Sequence, residues 1–144
     1  MAGEVPLTRG LRVPAPDPFL MSPDQPQKLA IIATHGLDHP ELATVPLVVG
    51  NAALAMDTKV TLILQSAGVG IATKGVYEHI SAVGFDPVQK LLASFLEFGG
   101  KIIVCIPCLE PRRITADDLV KGAEPAKAGR VVTELLEADT VACY

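Results

Sequence analysis

The chain holds no tryptophan, and its two tyrosines and four phenylalanines make aromatics only 4% of 144 residues. Its core must therefore be built from Ala, Val, Ile and Leu, the side chains that fill a parallel sheet covered on both faces. No apolar run approaches the roughly 18 residues of a membrane span. Basic runs and aromatic–basic interleaving are missing too, and the net charge is −4. Both features argue against nucleic acid as the main partner. The first 27 residues carry neither the charged start nor the apolar stretch of a secretory signal, so a cytoplasmic address is expected. Cysteine is scarce, with three residues. An odd number in a chain large enough to fold without staples fits the same address.

What is present is apolar. Hydrophobic residues make up 49% of the chain, and the mean hydropathy is +0.39. The length fits one domain with one sizeable core. A subunit interface would absorb the surplus. Six of the twelve prolines fall within residues 1–27, where fixed φ and missing amide hydrogens disfavour helix and central strand. That segment reads as a Pro-rich extended N-terminal arm. It is either a loose tail or a strap anchored on a neighbouring subunit by Phe19, Leu20 and Met21.

The domain proper spans residues 28–144. Leu29 to Thr34, Val60 to Gln65 and Ile102 to Cys105 read as buried strands, and Thr140 to Cys143 as a closing strand. A helix is predicted from Thr44, its cap, to Met56, with Pro46 in the first turn. A short helical stretch is predicted over Ile71 to Val76. Asp86 reads as the cap of a helix with Pro87 at its first position. Its apolar Val88, Leu91, Leu92, Phe95 and Leu96 share one face, and Gly99-Gly100 stops it. Thr115 to Asp118 reads as a helix start, and a last helix runs from Ala128 to Ala138. Strands alternating with helices predict an α/β fold, a Rossmann-like, doubly wound, mostly parallel sheet in a single domain.

Sites in such sheets form beyond the carboxyl ends of the strands. His35 follows the first strand, Ser66 the second, and Cys105 ends the third, so topology brings these residues to one edge. Cys105 and Cys108 have C-x-x-C spacing, and their sulfurs meet if Cys105 precedes a helical turn. Unpaired amides there, with Arg112 and Arg113 close behind, would lower a thiol pKa and favour the nucleophilic thiolate. Cys143 reads as an inert packed residue. His35 is a candidate proton donor or acceptor near the thiols, or a loop hydrogen-bonder. Zinc on Cys105, Cys108, His35 and His39 is the lesser reading, because structural zinc sites use two tight ligand pairs; no metal or cofactor is expected. Gly68-Val69-Gly70 is a fragment of a phosphate loop that reads better as a tight turn. Lys74 is a candidate anion binder with a solvated lysine as the plain alternative. Asp117-Asp118 reads as helix-start charge, and Glu134/Glu137 as a solvated face.

Four stretches resemble, in order, the DsrE/DsrF-like family, particularly its small members described as predicted peroxiredoxins. They are Asp38-His39-Pro40-Glu41-Leu42-Ala43, Gly68 to Gly75, Val104-Cys105-Ile106-Pro107-Cys108-Leu109-Glu110, and Ala138-Asp139-Thr140-Val141. The resemblance implies a homo-oligomer, a trimer or hexamer. It also implies a role in sulfur relay or sulfur oxidation, with a persulfide carried at the position of Cys105. Cys108 matches the second cysteine of the subset with C-x-x-C. Where the family often has an Arg-Gly pair, this chain has Arg112-Arg113-Ile114. Three functions follow: a sulfur-relay or sulfurtransferase-type protein, a thiol–disulfide oxidoreductase using Cys105 and Cys108, or a non-enzymatic oligomeric binding subunit. The first requires sulfur donors and acceptors, either proteins or small thiols.

Overall fold

The apolar runs form the strands that their composition requires. In the computed structural model, which describes residues 25–144, β1 covers Lys28–Ala33, β2 Lys59–Leu64 and β3 Lys101–Cys105. Apart from Gln25 to Gln27, the reading of residues 1–27 as an arm falls outside the described residues. Two shorter strands complete the sheet, β4 at Ala123–Ala126 and β5 at Thr140–Cys143. The order is β4-β3-β2-β1-β5, and every pairing is parallel. The expected α/β sheet is thus present, and it is parallel throughout.

Strand alternation sorts the core onto two faces. Ile31, Leu62, Leu64, Ile102 and Val104 point to one face, where α1 (Pro40–Ala55) and α2 (Val88–Glu97) cover them. Leu47 of α1 and Phe95 of α2 are fully buried in this layer. The Phe95 ring lies so close to Gly50 and Gly100 that a Cβ at Gly100 would come within 2.4 Å of it. Ala30, Ile63, Ile103 and Ala126 point to the other face and meet Val131 of α4 (Ala128–Glu137). Among the described residues one helix covers that face, and Val132 and Leu136 of α4 remain exposed, as does Val141 of β5.

The structure corrects several boundaries. α1 begins at Pro40, not Thr44. His39 is its cap, and its ring nitrogen accepts from the Leu42 amide at 3.4 Å. Thr44 is buried inside the helix with its hydroxyl on the Pro40 carbonyl, 2.7 Å away. Pro46 therefore lies inside the helix rather than in its first turn, and it cannot supply an amide to the Leu42 carbonyl. Residues Ser66–Ala72 form a 3₁₀ segment, which replaces the helical stretch expected over 71–76. Pro87, not Asp86, occupies the cap of α2, and Asp86 pairs with Lys90 at 3.1 Å. Thr115 and Asp118 make the reciprocal bonds of a capping box, yet the helix they open is the single turn Ala116–Asp118. β4 escaped the sequence reading because Pro125 interrupts it; at the sheet's edge a proline is tolerated.

No helix among the described residues is long and apolar enough to cross a membrane.

Candidate functional site

The strand order creates a division at β3. The chain leaving Cys105 stays on the α1/α2 face, since Leu109, Ile114 and Leu119 join that core layer. The chain leaving β4 goes to α4 on the opposite face. The outgoing connections thus part at the carboxyl ends of these neighbouring strands, where Cys105 pairs with Ala126. Open α/β sheets place ligands where successive connections part in this way.

Cys105 is the cap residue of a four-residue helix, α3 (Ile106–Leu109), and Pro107 fits its first turn. One helical turn carries Cys108 back over Cys105, and the two sulfurs lie 3.0 Å apart as free thiols. The Ser66 amide donates to the Cys108 sulfur at 3.2 Å. Ser66 holds a left-handed backbone, φ 51°, at the start of the loop that follows β2. The neighbouring loop is tied in as well. The Gly68 amide donates to the Thr34 carbonyl at 3.1 Å. A Cβ at Gly68 would stand 2.1 Å from the Ala33 carbonyl oxygen, and one at Gly36 2.4 Å from that of Ala67. These glycines let the loops after β1 and β2 pass backbone against backbone. Gly68 thus serves a close approach rather than a phosphate.

The electrostatics differ from expectation. Burial pushes the Cys105 thiol up from its ordinary value, and the contact with Cys108 adds to the rise; the Cys108 amide opposes it in part. The predicted depression is overturned because desolvation outweighs a single helical turn. Arg112 does not reach the sulfurs: its guanidinium donates to the Cys108 carbonyl at 2.9 Å and closes α3. Arg113 is exposed in a left-handed conformation.

His35 stands on the same edge, in the loop beside Ala67 and Gly68. Its Nδ1 lies 2.8 Å from Asp38. The Gly36 amide, and then His35, hold the Asp38 carboxyl below its usual value. This Asp–His pair went unnoticed in the sequence, though the H-x-x-D spacing carries its signal. His39 is engaged as the cap of α1 and makes a tilted ring contact with His35 at 5.5 Å. Among the described residues, no three His, Cys, Asp or Glu side chains converge as metal ligands, so the zinc arrangement does not form. The Lys74 amide donates to the Asp118 carbonyl at 2.8 Å, next to the Thr73–Leu119 bridge. Cys143 is exposed on the edge strand rather than packed. Glu134 is not solvated either, and its carboxylate accepts from Thr61 and Arg130.

Comparison with known proteins agrees with this architecture. The model of the DsrE/DsrF-like family matches residues 27–142. The uncharacterised protein MJ0760 of Methanocaldococcus jannaschii is 33% identical over 101 residues, covering 70% of this chain and 37% of that protein. The chain thus corresponds to about a third of that relative's length. Among solved structures, the ychN protein of E. coli superposes with a TM-score of 0.70 at 21% identity, covering 82% of this chain and 99% of that one. MTH1491 of Methanobacterium thermoautotrophicum, a protein of unknown function, gives 0.59 at 14% identity, covering 83% and 100%. At these identities the two structures establish the fold.

Proposed function

The chain belongs to the DsrE/DsrF-like family, linked in general to sulfur relay, and from that premise we propose that it carries sulfane sulfur as a persulfide on Cys105. The observation that carries the reading is the 3.0 Å approach of the Cys105 and Cys108 sulfurs beneath the Ser66 amide. Cys105 sulfur attacks the outer sulfur of a donor persulfide, R–S–SH. The new S–S bond leaves Cys105–S–SH, and the donor departs as R–SH with the Cys105 proton. An acceptor thiol then takes the outer sulfur and restores the Cys105 thiol. Each transfer is isoelectronic, so the step needs no cofactor. Amide donors facing the sulfurs stabilise the negative charge that develops. Donor and acceptor are proteins or small thiols, and the working form is a cytoplasmic homo-oligomer, a trimer or hexamer.

Mass spectrometry of the reduced, folded protein after exposure to a sulfane-sulfur donor tests this reading. One added sulfur atom on the peptide containing Cys105 is expected, and it should be lost in Cys105→Ser. A folded, reduced protein that gains no sulfur there overturns the reading.

The same sulfur–sulfur distance favours one alternative, a thiol–disulfide oxidoreductase cycling Cys105 and Cys108. Cys108→Ser separates the two: sulfur loading survives that change, whereas dithiol cycling does not. If neither thiol reacts in the folded protein, a non-enzymatic binding subunit becomes the better description.

A further inference from the structure

A second feature lies at the opposite end of the sheet and takes no part in the thiol chemistry. A cavity of about 450 Å³ opens at the amino ends of β1, β2 and β3, within the size range of small-molecule sites. Strand alternation divides its wall. Leu29 and Val60 point to the α1/α2 side and, with Leu54 and Phe98, form an apolar lobe. Lys59, Thr61 and Lys101 point to the α4 side, where Glu134 and Glu137 close a polar lobe.

The charges of the polar lobe are unevenly satisfied. Glu137 lies 3.9 Å from Lys28, and Glu134 is held by Thr61 and by Arg130 at 2.6 Å. Burial pushes the Glu134 carboxyl up, yet Thr61, Arg130 and the nearby Lys101 charge together outweigh it and keep the group ionised below its usual value. Lys59 and Lys101, on adjacent strands, make no ion pair within 4.0 Å among the described residues. Asp57, in the turn at the mouth, is the one remaining carboxylate of the wall. Lys28, Lys59 and Lys101 face Asp57, Glu134 and Glu137, so the wall is neutral overall, and Lys59 and Lys101 are its two lysines outside an ion pair among the described residues. At the apolar end, Phe98 is 68% exposed, a large ring left facing water.

We propose that this cavity binds a small monocarboxylate with an apolar body. Its head lies between the Lys59 and Lys101 ammonium groups, and its body covers Leu54, Val60 and Phe98. Two lysines outside ion pairs, in a wall of balanced charge, suit a monoanion rather than a dianion, and the apolar lobe favours an organic anion over an inorganic one.

Amide chemical-shift titration of the full chain tests the assignment with three probes: hexanoate, hexan-1-ol and inorganic phosphate. Hexanoate should give saturable shifts at Lys59, Thr61, Phe98, Lys101 and Glu134, and the other two should bind more weakly. The K59Q/K101Q variant should weaken hexanoate about tenfold, the effect of losing charged hydrogen-bond donors, and leave sulfur loading on Cys105 unchanged. Phe98→Ala should weaken hexanoate while leaving both lysines in place, and the single lysine variants serve if the double variant fails to fold. Absence of saturable shifts at these residues overturns the proposal. So does binding of hexan-1-ol or phosphate as tight as that of hexanoate, or a lysine variant that binds hexanoate like the wild type.

Discussion

The Ser66 amide points at the Cys108 sulfur, 3.2 Å away, from a backbone that only a left-handed turn allows. A non-glycine residue in that conformation costs about 1–2 kcal/mol. Ser66→Gly should therefore leave the denaturation midpoint unchanged or raised, and should keep the amide in place. A β-branched residue fits φ 51° poorly. Ser66→Val should lower stability by about 1–2 kcal/mol and swing the amide off the sulfur. Urea unfolding reads the first effect. Alkylation of Cys108 reads the second, and it should slow in the valine variant and not in the glycine variant.

Gly68 and Gly36 hold the loops of the site together at distances that exclude a side chain. A Cβ at Gly68 would overlap the Ala33 carbonyl, which is strand backbone and cannot rotate away. Gly68→Ala should cost about 1–3 kcal/mol, as overpacking does, and should loosen the Ser66 loop. Gly129 is the internal control. It sits in α4 with nothing within 4 Å of a Cβ. Gly129→Ala should stabilise by up to about 1 kcal/mol through helix propensity. Denaturant midpoints of the two variants should move in opposite directions.

Much of this site was legible in the sequence, because topology alone places the ends of β1, β2 and β3 on one edge. His35, Ser66 and Cys105 needed only the strand positions. What stayed hidden depended on packing. The rise in the Cys105 pKa comes first from burial by surrounding segments, which no local pattern reports. The start of α1 was misplaced because Thr44 is the better capping type, whereas the observed cap is His39, followed by Pro40. β4 was missed because Pro125 reads as a breaker until the strand is known to lie at an edge. Cys143 was assigned to the interior because edge position, which leaves it exposed, is not written in a four-residue strand.

The raised Cys105 pKa sets a pH dependence with a definite sign. The folded protein holds the thiol proton to higher pH than the unfolded chain does. The contribution to stability is therefore fully present below the ordinary thiol value of about 8.5. It is lost as pH rises through the folded value. Alkylation of Cys105 in the Cys108→Ser variant should show a midpoint above about 8.5, since burial, the largest cause, persists without Cys108. A midpoint below that value would show that amide donors, not desolvation, govern the thiol. Urea midpoints measured across the same range should fall with increasing pH.

On the proposed sulfur-carrier reading, Cys108 is placed to discharge the persulfide as well as to face it. Its sulfur stands 3.0 Å from the Cys105 sulfur, the inner atom of the proposed persulfide. Attack on that atom forms the Cys105–Cys108 disulfide and expels the outer sulfur as hydrosulfide. The Cys108 thiolate supplies the electron pair of the new bond, the outer sulfur leaves with the pair of the broken persulfide bond, and a dithiol must then reduce the disulfide to restore both thiols. Loaded wild-type protein left without an acceptor should release hydrosulfide and accumulate one intramolecular disulfide in equal amount. Cys108→Ser should accept sulfur at a similar rate and then keep it, lengthening the lifetime of the loaded state at least tenfold, about 1.4 kcal/mol on the release barrier. A sulfide electrode and peptide mapping follow the two products together. Equal release from both proteins would show that sulfur leaves Cys105 by another route, and would make Cys108 a neighbour of the persulfide rather than the thiol that removes it.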